Sequence, residues 1–126
     1  MLHHVSIGAR DIAAAKRFYD AALAPLAYKC LSESAGSLGY GGKEVAFWIS
    51  ETQNPVVPDT RSGLHFCFAA PTRGSVDAFH AGALKSGGRD NGRPGLRPVY
   101  GAGYYAAFAF DPDGYRLEAY FQDRSA

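Results

Sequence analysis

Apolar and polar positions alternate along two stretches of the chain, and each stretch leads into a segment where apolar residues recur with helical spacing. In the first half the alternation covers residues 4–8, and the helical spacing runs from Ile12 to Leu23. In the second half the alternation covers residues 65–69, and the helical spacing runs from Val76 to Leu84. Each half is therefore predicted to begin with a half-buried strand and to continue as an amphipathic helix.

Capping and breaking residues mark the ends of both predicted helices. Asp11 stands directly before the first apolar-periodic segment, where a side-chain oxygen can accept hydrogen bonds from free backbone amides. Pro25 predicts the end of this helix, because the residue before a proline is disfavoured in helical conformation. Gly87 and Gly88 predict the end of the second helix.

The two halves align without a gap, residues 4–23 against residues 65–84. The order of histidine, strand and helix is the same in both blocks, so we predict two copies of one structural unit. The identical positions are His4 and His65, Ala9 and Ala70, Phe18 and Phe79, Ala22 and Ala83, and Leu23 and Leu84.

Further strand-like runs follow each helix, so that each half has the predicted order β-α-β-β-β. The sequence Asp111-Pro-Asp-Gly is a strong turn signal between the last two runs. The fold class is therefore predicted as α+β: two βαβββ modules that form a curved, mostly antiparallel sheet with the helices on one face and a cavity on the other. We expect one domain over residues 1–126, with module one at about 1–60 and module two at about 61–126. The strand-like runs are 28–32, 37–40, 45–50, 98–99, 104–110 and 115–121.

The segment GGRDNGRPGLRPVYGAG, residues 87–103, holds six glycines and three arginines. As an unstructured loop it would exceed the usual limit of roughly 12–15 residues. It is expected either to contain a short strand or to form a functional lid, with a solvated loop as the third possibility.

The overall charge excludes some classes of partner. Thirteen Lys and Arg residues stand against twelve Asp and Glu residues, for a net charge of +1. This balance gives no reason to expect nucleic acid or an anionic membrane as a partner. No segment approaches the roughly 18 apolar residues of a membrane span. Cys30 and Cys67 form no CxxC motif, and we interpret both as reduced thiols of a cytoplasmic protein.

Strand alternation predicts which residues share the polar face of the sheet. The bulky apolar residues should pack on the helices, which leaves His4, His65 and Glu118 on the opposite face with Trp48 and Tyr120. Two imidazoles and a carboxylate are the donors of a 2-His-1-carboxylate metal site with open coordination positions. The alternative is that these residues are polar side chains of a cavity that holds no metal.

Two neighbouring positions depend on the same alternation. His3 and His4 should point to opposite faces of the first strand, which makes His3 a surface residue. Tyr105 should share the face of Glu118 and Tyr120 if Tyr105, Ala107 and Ala109 are the residues of their strand that line the cavity. Tyr105 and Tyr120 are then candidates for contact with a substrate.

Three segments make the chain resemble the glyoxalase I, bleomycin-resistance and extradiol-dioxygenase superfamily, also called vicinal oxygen chelate proteins. They are LHHVSIGARDIAAAKRFYDAAL, GLHFCFAA and DPDGYRLEAYF, and the resemblance covers nearly the whole chain. It implies paired βαβββ modules and a divalent metal (Fe, Zn, Ni or Mn) held by His4, His65 and Glu118. Glu118 would be the catalytic residue, as a ligand or as a base. The resemblance also implies a homodimer, and it leaves open whether the cavity lies within one chain or between two.

One position departs from the glyoxalase I pattern. Members of that type carry a further carboxylate in the last strand of the first module, where this chain has Trp48. The three remaining ligands resemble the dioxygenase branch more closely. The resemblance therefore implies a metal-dependent lyase or dioxygenase that acts on a small oxygen-chelating substrate, with Trp48, Tyr105 and Tyr120 in contact with it. The alternative is a metal-free protein that sequesters a small molecule, of the bleomycin-resistance type.

Overall fold

Each half of the chain forms one four-stranded sheet and one long helix. This architecture comes from a computed structural model, which describes residues 1–57 and 59–125. In the first half the elements are β1 (Val5–Ala9), α1 (Ile12–Leu23), β2 (Lys29–Ser34), β3 (Ser37–Gly41) and β4 (Val45–Glu51). In the second half they are β5 (Phe66–Ala69), α2 (Arg73–Lys85), β6 (Arg89–Leu96), β7 (Tyr104–Phe110) and β8 (Arg116–Gln122). Short 3-10 helices cover Ala24–Leu26 and Pro98–Tyr100.

The two sheets have the same topology. Their strand orders are β1-β4-β3-β2 and β5-β8-β7-β6. In each sheet the first strand of the half pairs in parallel with the last, and the remaining pairs are antiparallel. The predicted α+β fold of two βαβββ units is therefore confirmed, with two four-stranded sheets.

The strand register supports the alignment of the two halves residue by residue. In the first sheet Ser6 of β1 is paired with Trp48 of β4, and in the second sheet Cys67 of β5 is paired with Glu118 of β8. Ser6 lies two residues after His4, and Cys67 lies two residues after His65. Trp48 and Glu118 therefore hold equivalent positions in the two sheets.

Both helices begin and end close to the predicted signals. The Asp11 side chain accepts a hydrogen bond from the backbone N–H of Ala14, at 3.0 Å. Thr72 and Ser75 form a capping box at the start of α2. α1 ends at Leu23, and α2 ends at Lys85, two residues before Gly87.

One apolar core joins the two halves. The inner faces of both sheets and the buried stripes of both helices contribute to it. The ring of Phe47 in β4 lies 5.9 Å from that of Phe66 and 5.3 Å from that of Phe68 in β5. The two helices also contact each other, since the Gly82 position of α2 lies against the backbone of Ala21 in α1. Within the described ranges, no helix is long and apolar enough to cross a lipid bilayer.

The glycine-rich segment contains a strand, which was one of the expected possibilities. The strand is β6, whose pairing with β7 is irregular between Asp90 and Gly92 and between Gly92 and Gly95. The prediction of a strand at 98–99 was wrong, because Pro98 begins a 3-10 helix.

The two adjacent histidines are not separated by strand alternation. β1 begins only at Val5, whose partner is Phe47, so His3 and His4 have no ladder partners. Their rings meet edge to face with centroids 5.2 Å apart, and their Nδ1 atoms are 2.9 Å apart. The prediction that they point to opposite faces was therefore wrong.

Candidate functional site

A cavity of about 330 Å³ lies on the face of the second sheet that is turned away from the core. All its lining residues belong to the second half of the chain, and the first sheet contributes none. They are His65, Asn91, Tyr100, Tyr104, Phe108, Arg116 and Glu118.

Glu118 is the buried acid of this cavity. It lies in the middle of β8, and only 3% of its surface is exposed. Its Oε1 lies 3.0 Å from Nε2 of His65, and its Oε2 accepts a hydrogen bond of 2.6 Å from the Tyr104 hydroxyl. A carboxylate removed from water needs such partners, so His65 and Tyr104 hold Glu118 in one orientation.

His65 lies between Glu118 and solvent. It stands directly before β5, and β5 pairs in parallel with β8, which brings the ring beside the Glu118 carboxylate. About 43% of the His65 side chain is exposed, against 4% for Glu118. The imidazole can therefore receive a ligand or a proton from the cavity while the carboxylate orients it.

Two neighbouring groups keep their protons at neutral pH. Burial, together with the hydrogen bond to Glu118, raises the pKa of Tyr104, which stays a hydrogen-bond donor. Partial desolvation of the thiol and the nearby Glu118 carboxylate raise the pKa of Cys67 to about 12, although the residue as a whole is exposed. Cys67 is therefore a neutral thiol rather than a nucleophilic thiolate.

Aromatic rings support this arrangement from one side. The ring of Tyr120 lies 4.2 Å from the ring of Tyr104, and its hydroxyl donates to Oε1 of Gln122. Tyr120 therefore packs behind Tyr104 on the predicted face. The ring of Tyr100 also contacts that of Tyr104, with ring centroids 5.2 Å apart.

The structure brings together two of the three predicted metal ligands. His65 and Glu118 are in contact, whereas His4 lies at the start of the first sheet, where its hydrogen-bond partner is His3. Trp48 also lies on the first sheet, against the Gly39 position of β3. In the described part of one chain, no three His, Cys, Asp or Glu side chains come together as a metal site.

Tyr105 was assigned to the wrong face. In β7, Ala106 pairs with Tyr120 and Phe108 pairs with Glu118, so the residues that share the face of Glu118 are the even-numbered ones. The Tyr105 hydroxyl instead donates to Oδ1 of Asp77 in α2, at 2.6 Å.

The cause of this error is the length of the turn. The Asp111 N–H donates to the Tyr115 carbonyl at 2.9 Å, so these two residues form the last pair before the loop. The loop between them therefore has three residues, and the last of them, Gly114, has a positive φ. One residue more or fewer would exchange the two faces of β7. The sequence analysis missed Tyr104 as a residue of this cavity, and the register of the hairpin is the signal that identifies it.

A second cavity, of about 390 Å³, lies between the two halves. Its lining is largely apolar and comes from the start of β1, the β3–β4 turn and β5, with Phe47 and Phe66 among its members. His65 borders both cavities. The Tyr28 hydroxyl donates to the Ala69 carbonyl at its edge, at 2.8 Å.

The donor types at His65 and Glu118 suit a divalent transition metal. Adjacent ligands at about 2.1 Å from an octahedral ion lie about 3.0 Å apart, and the Nε2–Oε1 distance is 3.0 Å. One chain supplies only these two donors within its described residues. The arrangement therefore fits part of a metal site, with two of the three donors that the sequence predicted.

Comparison with known proteins agrees with this architecture. A glyoxalase/bleomycin resistance protein from Albidiferax ferrireducens T118 has a similar structure, with a TM-score of 0.83, 29% identity and coverage of 98% of this chain and 99% of that chain. A putative glyoxalase from Bacillus halodurans has a TM-score of 0.69 and 25% identity, with coverage of 96% of this chain and 95% of that chain. For a glyoxalase/bleomycin resistance protein/dioxygenase family enzyme from Burkholderia phytofirmans PsJN the corresponding values are 0.71, 16%, 96% and 98%, a likeness of fold.

A family model extends the comparison to the sequence itself. No curated protein sequence matches the chain. The model of the Glyoxalase/Bleomycin resistance protein/Dioxygenase superfamily matches residues 1–119, which include both halves. The chain therefore belongs to the glyoxalase/bleomycin resistance protein/dioxygenase superfamily.

Proposed function

We propose that the protein is a metal-dependent enzyme of this superfamily, with His65 and Glu118 as ligands of a divalent ion. The observation that carries the proposal is the contact of 3.0 Å between His65 Nε2 and Glu118 Oε1 at the wall of a cavity of about 330 Å³. A metal at this place would act as a Lewis acid on a small substrate with two neighbouring oxygens. Iron, zinc, nickel and manganese all suit such donors.

The third ligand in this proposal is His4 of a second copy, so that the active protein is a homodimer. His4 is exposed, and the described residues of one chain bring no third donor to His65 and Glu118. A second copy that places its first sheet over the cavity would bring its His4 and its Trp48 to the site together. Trp48 would then form a wall for the substrate.

The remaining residues of the site position these groups. Tyr104 holds the second oxygen of Glu118, and Tyr120 supports the ring of Tyr104. Glu118 therefore stays a ligand or accepts a proton from the substrate in a fixed orientation. Tyr120 acts through Tyr104, and Tyr105 takes no part.

A specific observation favours the second candidate, a metal-free protein that binds a small molecule. Both oxygens of Glu118 already have partners within the chain, His65 and Tyr104. The cavity also carries three aromatic rings, which suit an apolar or aromatic ligand. In this alternative the same cavity retains the ligand without chemistry.

Two broader proposals follow from the architecture. Residues 1–126 act as one domain, with module one at about 1–60 and module two at about 61–126, because both halves share one core. The protein works in the cytoplasm, which agrees with the free thiols of Cys30 and Cys67.

Metal retention is the experiment that separates the two candidates. Protein purified without an affinity tag is dialysed against Zn²⁺, Mn²⁺, Ni²⁺ or anaerobic Fe²⁺, and bound metal is quantified. We expect stable binding that falls by about tenfold or more in His65→Ala and Glu118→Gln, as for loss of a ligand, and that stays near the wild-type value in His3→Ala. No retained metal and no metal-induced rise in Tm would reject the enzyme in favour of the binding protein.

Activity of the metal-loaded protein then distinguishes the two enzyme branches. Oxygen uptake with catechols would identify a dioxygenase. Loss of the hemithioacetal formed by methylglyoxal and glutathione would identify a lyase of the glyoxalase type. Glu118→Gln should abolish either activity, because the residue is both ligand and candidate base.

A further inference from the structure

Arg116 presents unused hydrogen-bond donors to the cavity of the second sheet. It lies two residues before Glu118 on β8 and therefore on the same face. Its Nε donates to the Leu64 carbonyl at 3.0 Å, and its Nη1 donates to the Thr60 carbonyl at 3.2 Å. These bonds fix the guanidinium beside His65 and use two of its five N–H donors, so three remain.

Arg116 has no acidic partner in the described part of the chain. The arginines that form salt bridges there are Arg61, with Asp59, and Arg73, with Asp123. Glu118, although two residues away, is held by His65 and Tyr104 instead. The lining therefore holds both the Glu118 carboxylate, which is bonded to other groups, and the Arg116 guanidinium, which makes no ion pair with a described side chain.

The glycine-rich segment brings a second arginine to the same face. Arg97 lies over the ring of Phe108, which lines the cavity, at 5.4 Å from the ring centroid. A Cβ atom at Gly92 would lie 3.3 Å from one terminal nitrogen of Arg97, and a Cβ atom at Gly95 would lie 3.2 Å from the other. The two glycines thus leave space for the Arg97 guanidinium across β6.

A third arginine extends the positive edge of the sheet. Arg89 lies over the ring of Phe110, at 4.6 Å from the centroid, and Phe110 is the β7 partner of Arg116. We call Arg89, Arg97 and Arg116 the arginine rim. Arg89 and Arg97 lie against rings next to the lining rather than in it, and their charges favour the approach of a small anion to Arg116 from the side away from Glu118.

We propose that the cavity of the second sheet binds a small ligand that carries a carboxylate, with Arg116 in direct contact with this group. Arg97 and Arg89 supply positive potential from the edge, and the Asn91 amide is a further donor in the lining. The carboxylate binds at Arg116, and the ring of the ligand packs against the ring of Phe108.

The volume of the cavity limits the size of this ligand. About 330 Å³ lies at the lower end of the roughly 300–1,000 Å³ range of small-molecule sites. A single aromatic ring with a carboxylate and a neighbouring oxygen is the chemistry that matches the lining. The inference rests on the cavity of the proposed function, and it does not require the metal.

The test compares two probes that differ in charge. Salicylate and salicylamide have the same ring and the same hydroxyl, and their affinities are measured by NMR titration of the metal-free protein. We expect salicylate to bind about tenfold or more tightly than salicylamide, because hydrogen bonds to a charged group are the stronger ones. Equal affinities, or no binding of salicylate at about 10 mM, would overturn the proposal.

Substitutions identify the residue that causes the preference for salicylate over salicylamide. Arg116→Met should reduce it to about twofold or less by weakening salicylate alone, and Arg116→Lys should restore part of it. Arg17→Met removes the same charge from an exposed position on α1 and should leave the preference intact. An unchanged preference in Arg116→Met, or an equal loss in Arg17→Met, would contradict the assignment.

Two further readouts keep the result independent of folding and of the metal. If Arg116→Met does not fold, because the bonds to Leu64 and Thr60 are lost, Arg97→Met provides the test, with an expected loss of about threefold in the preference. An unchanged preference in Arg97→Met would then count against the rim. Salicylate binding without any metal retention would reject the metalloenzyme and leave this inference standing. Metal retention without salicylate binding would reject this inference and leave the metalloenzyme standing.

Discussion

At the scale of single residues, the site depends on how one buried carboxylate is satisfied. Glu118 receives the Tyr104 hydroxyl on one oxygen and faces His65 with the other. The adjacent tyrosine, Tyr105, makes a hydrogen bond of the same length to Asp77, but on the helix side and near the surface. The two tyrosines therefore form a matched pair.

Removal of each hydroxyl should have different effects on stability. Tyr104→Phe leaves one oxygen of a buried carboxylate without a donor, and we expect a loss of about 1.5–3 kcal/mol in the free energy of unfolding. Tyr105→Phe should lose about 1 kcal/mol or less, because water can replace the hydroxyl at Asp77. Urea unfolding of both variants measures the difference. A larger loss in Tyr105→Phe would contradict the role given to Tyr104.

Sequence reasoning at this scale succeeded where one strand was enough. Alternation along β8 and the position before β5 placed His65 and Glu118 on one face, where the structure brings them together. It failed at Tyr105, because the faces of β7 depend on the register of a hairpin whose loop has three residues. It failed at His3 and His4, because the strand begins one residue later.

At the scale of elements, the contact between the two helices determines how the halves pack. A Cβ atom at Gly82 of α2 would lie 2.6 Å from the carbonyl oxygen and 3.1 Å from the carbonyl carbon of Ala21 in α1. Both are backbone atoms, so the helices can approach this closely only when residue 82 has no side chain. Gly74, on the same helix, has no such neighbour, since the nearest atom to its Cβ position is Thr72 Oγ1 at 3.8 Å.

Alanine should lower stability at Gly82 and should not lower it at Gly74. Gly82→Ala should destabilise the protein by about 1–3 kcal/mol, because the helices must separate. Gly74→Ala should be neutral or stabilise by up to about 1 kcal/mol, through helix propensity. Thermal unfolding of the two variants is the measurement. A stable Gly82→Ala variant would mean that the helices do not pack as described.

The elements themselves were predicted unevenly. β7 was predicted with its observed ends, because its apolar residues stand between clear turn signals. The ends of β6 were not predicted, because glycine has a low strand propensity. Two of its glycines, Gly92 and Gly95, instead allow the close approach of the Arg97 guanidinium.

At the scale of the whole molecule, a buried acid links the two halves. Asp111, in the β7–β8 turn, accepts a hydrogen bond of 2.5 Å from the hydroxyl of Tyr19 in α1. Its other oxygen accepts the backbone N–H groups of Asp113 and Tyr115. Burial raises the pKa of Asp111 to about 6, although these hydrogen bonds oppose the shift.

This pKa predicts a specific dependence of stability on pH. An unfolded aspartate titrates near pH 4, so the folded state binds the proton more tightly than the unfolded chain. The contribution of Asp111 to stability is therefore present below about pH 4 and is lost as the pH rises through about 6. Relative to Asp111→Asn, the wild type should lose roughly 2–3 kcal/mol between about pH 4 and pH 7. Urea unfolding across this range tests it, and a constant difference between the two proteins would contradict the buried ionisation.

The packing of one half on the other was beyond the reach of sequence patterns. Alternation assigns His4 to a sheet and His65 to another, but it contains no information on how the two sheets are placed. The structure places the cavity entirely on the second sheet. In the proposed function, His4 reaches this cavity only from a second copy of the chain.

Mixing of two variants that are each expected to lose metal tests the proposed shared site most directly. His4→Ala keeps His65 and Glu118, and Glu118→Gln keeps His4, so neither variant alone should retain metal tightly. After subunit exchange at equal amounts, half of the dimers contain one chain of each kind, and each of these has one complete site. The account predicts recovery of about a quarter of the wild-type metal content in the mixture. No recovery in the mixture, or wild-type retention by His4→Ala alone, would contradict it.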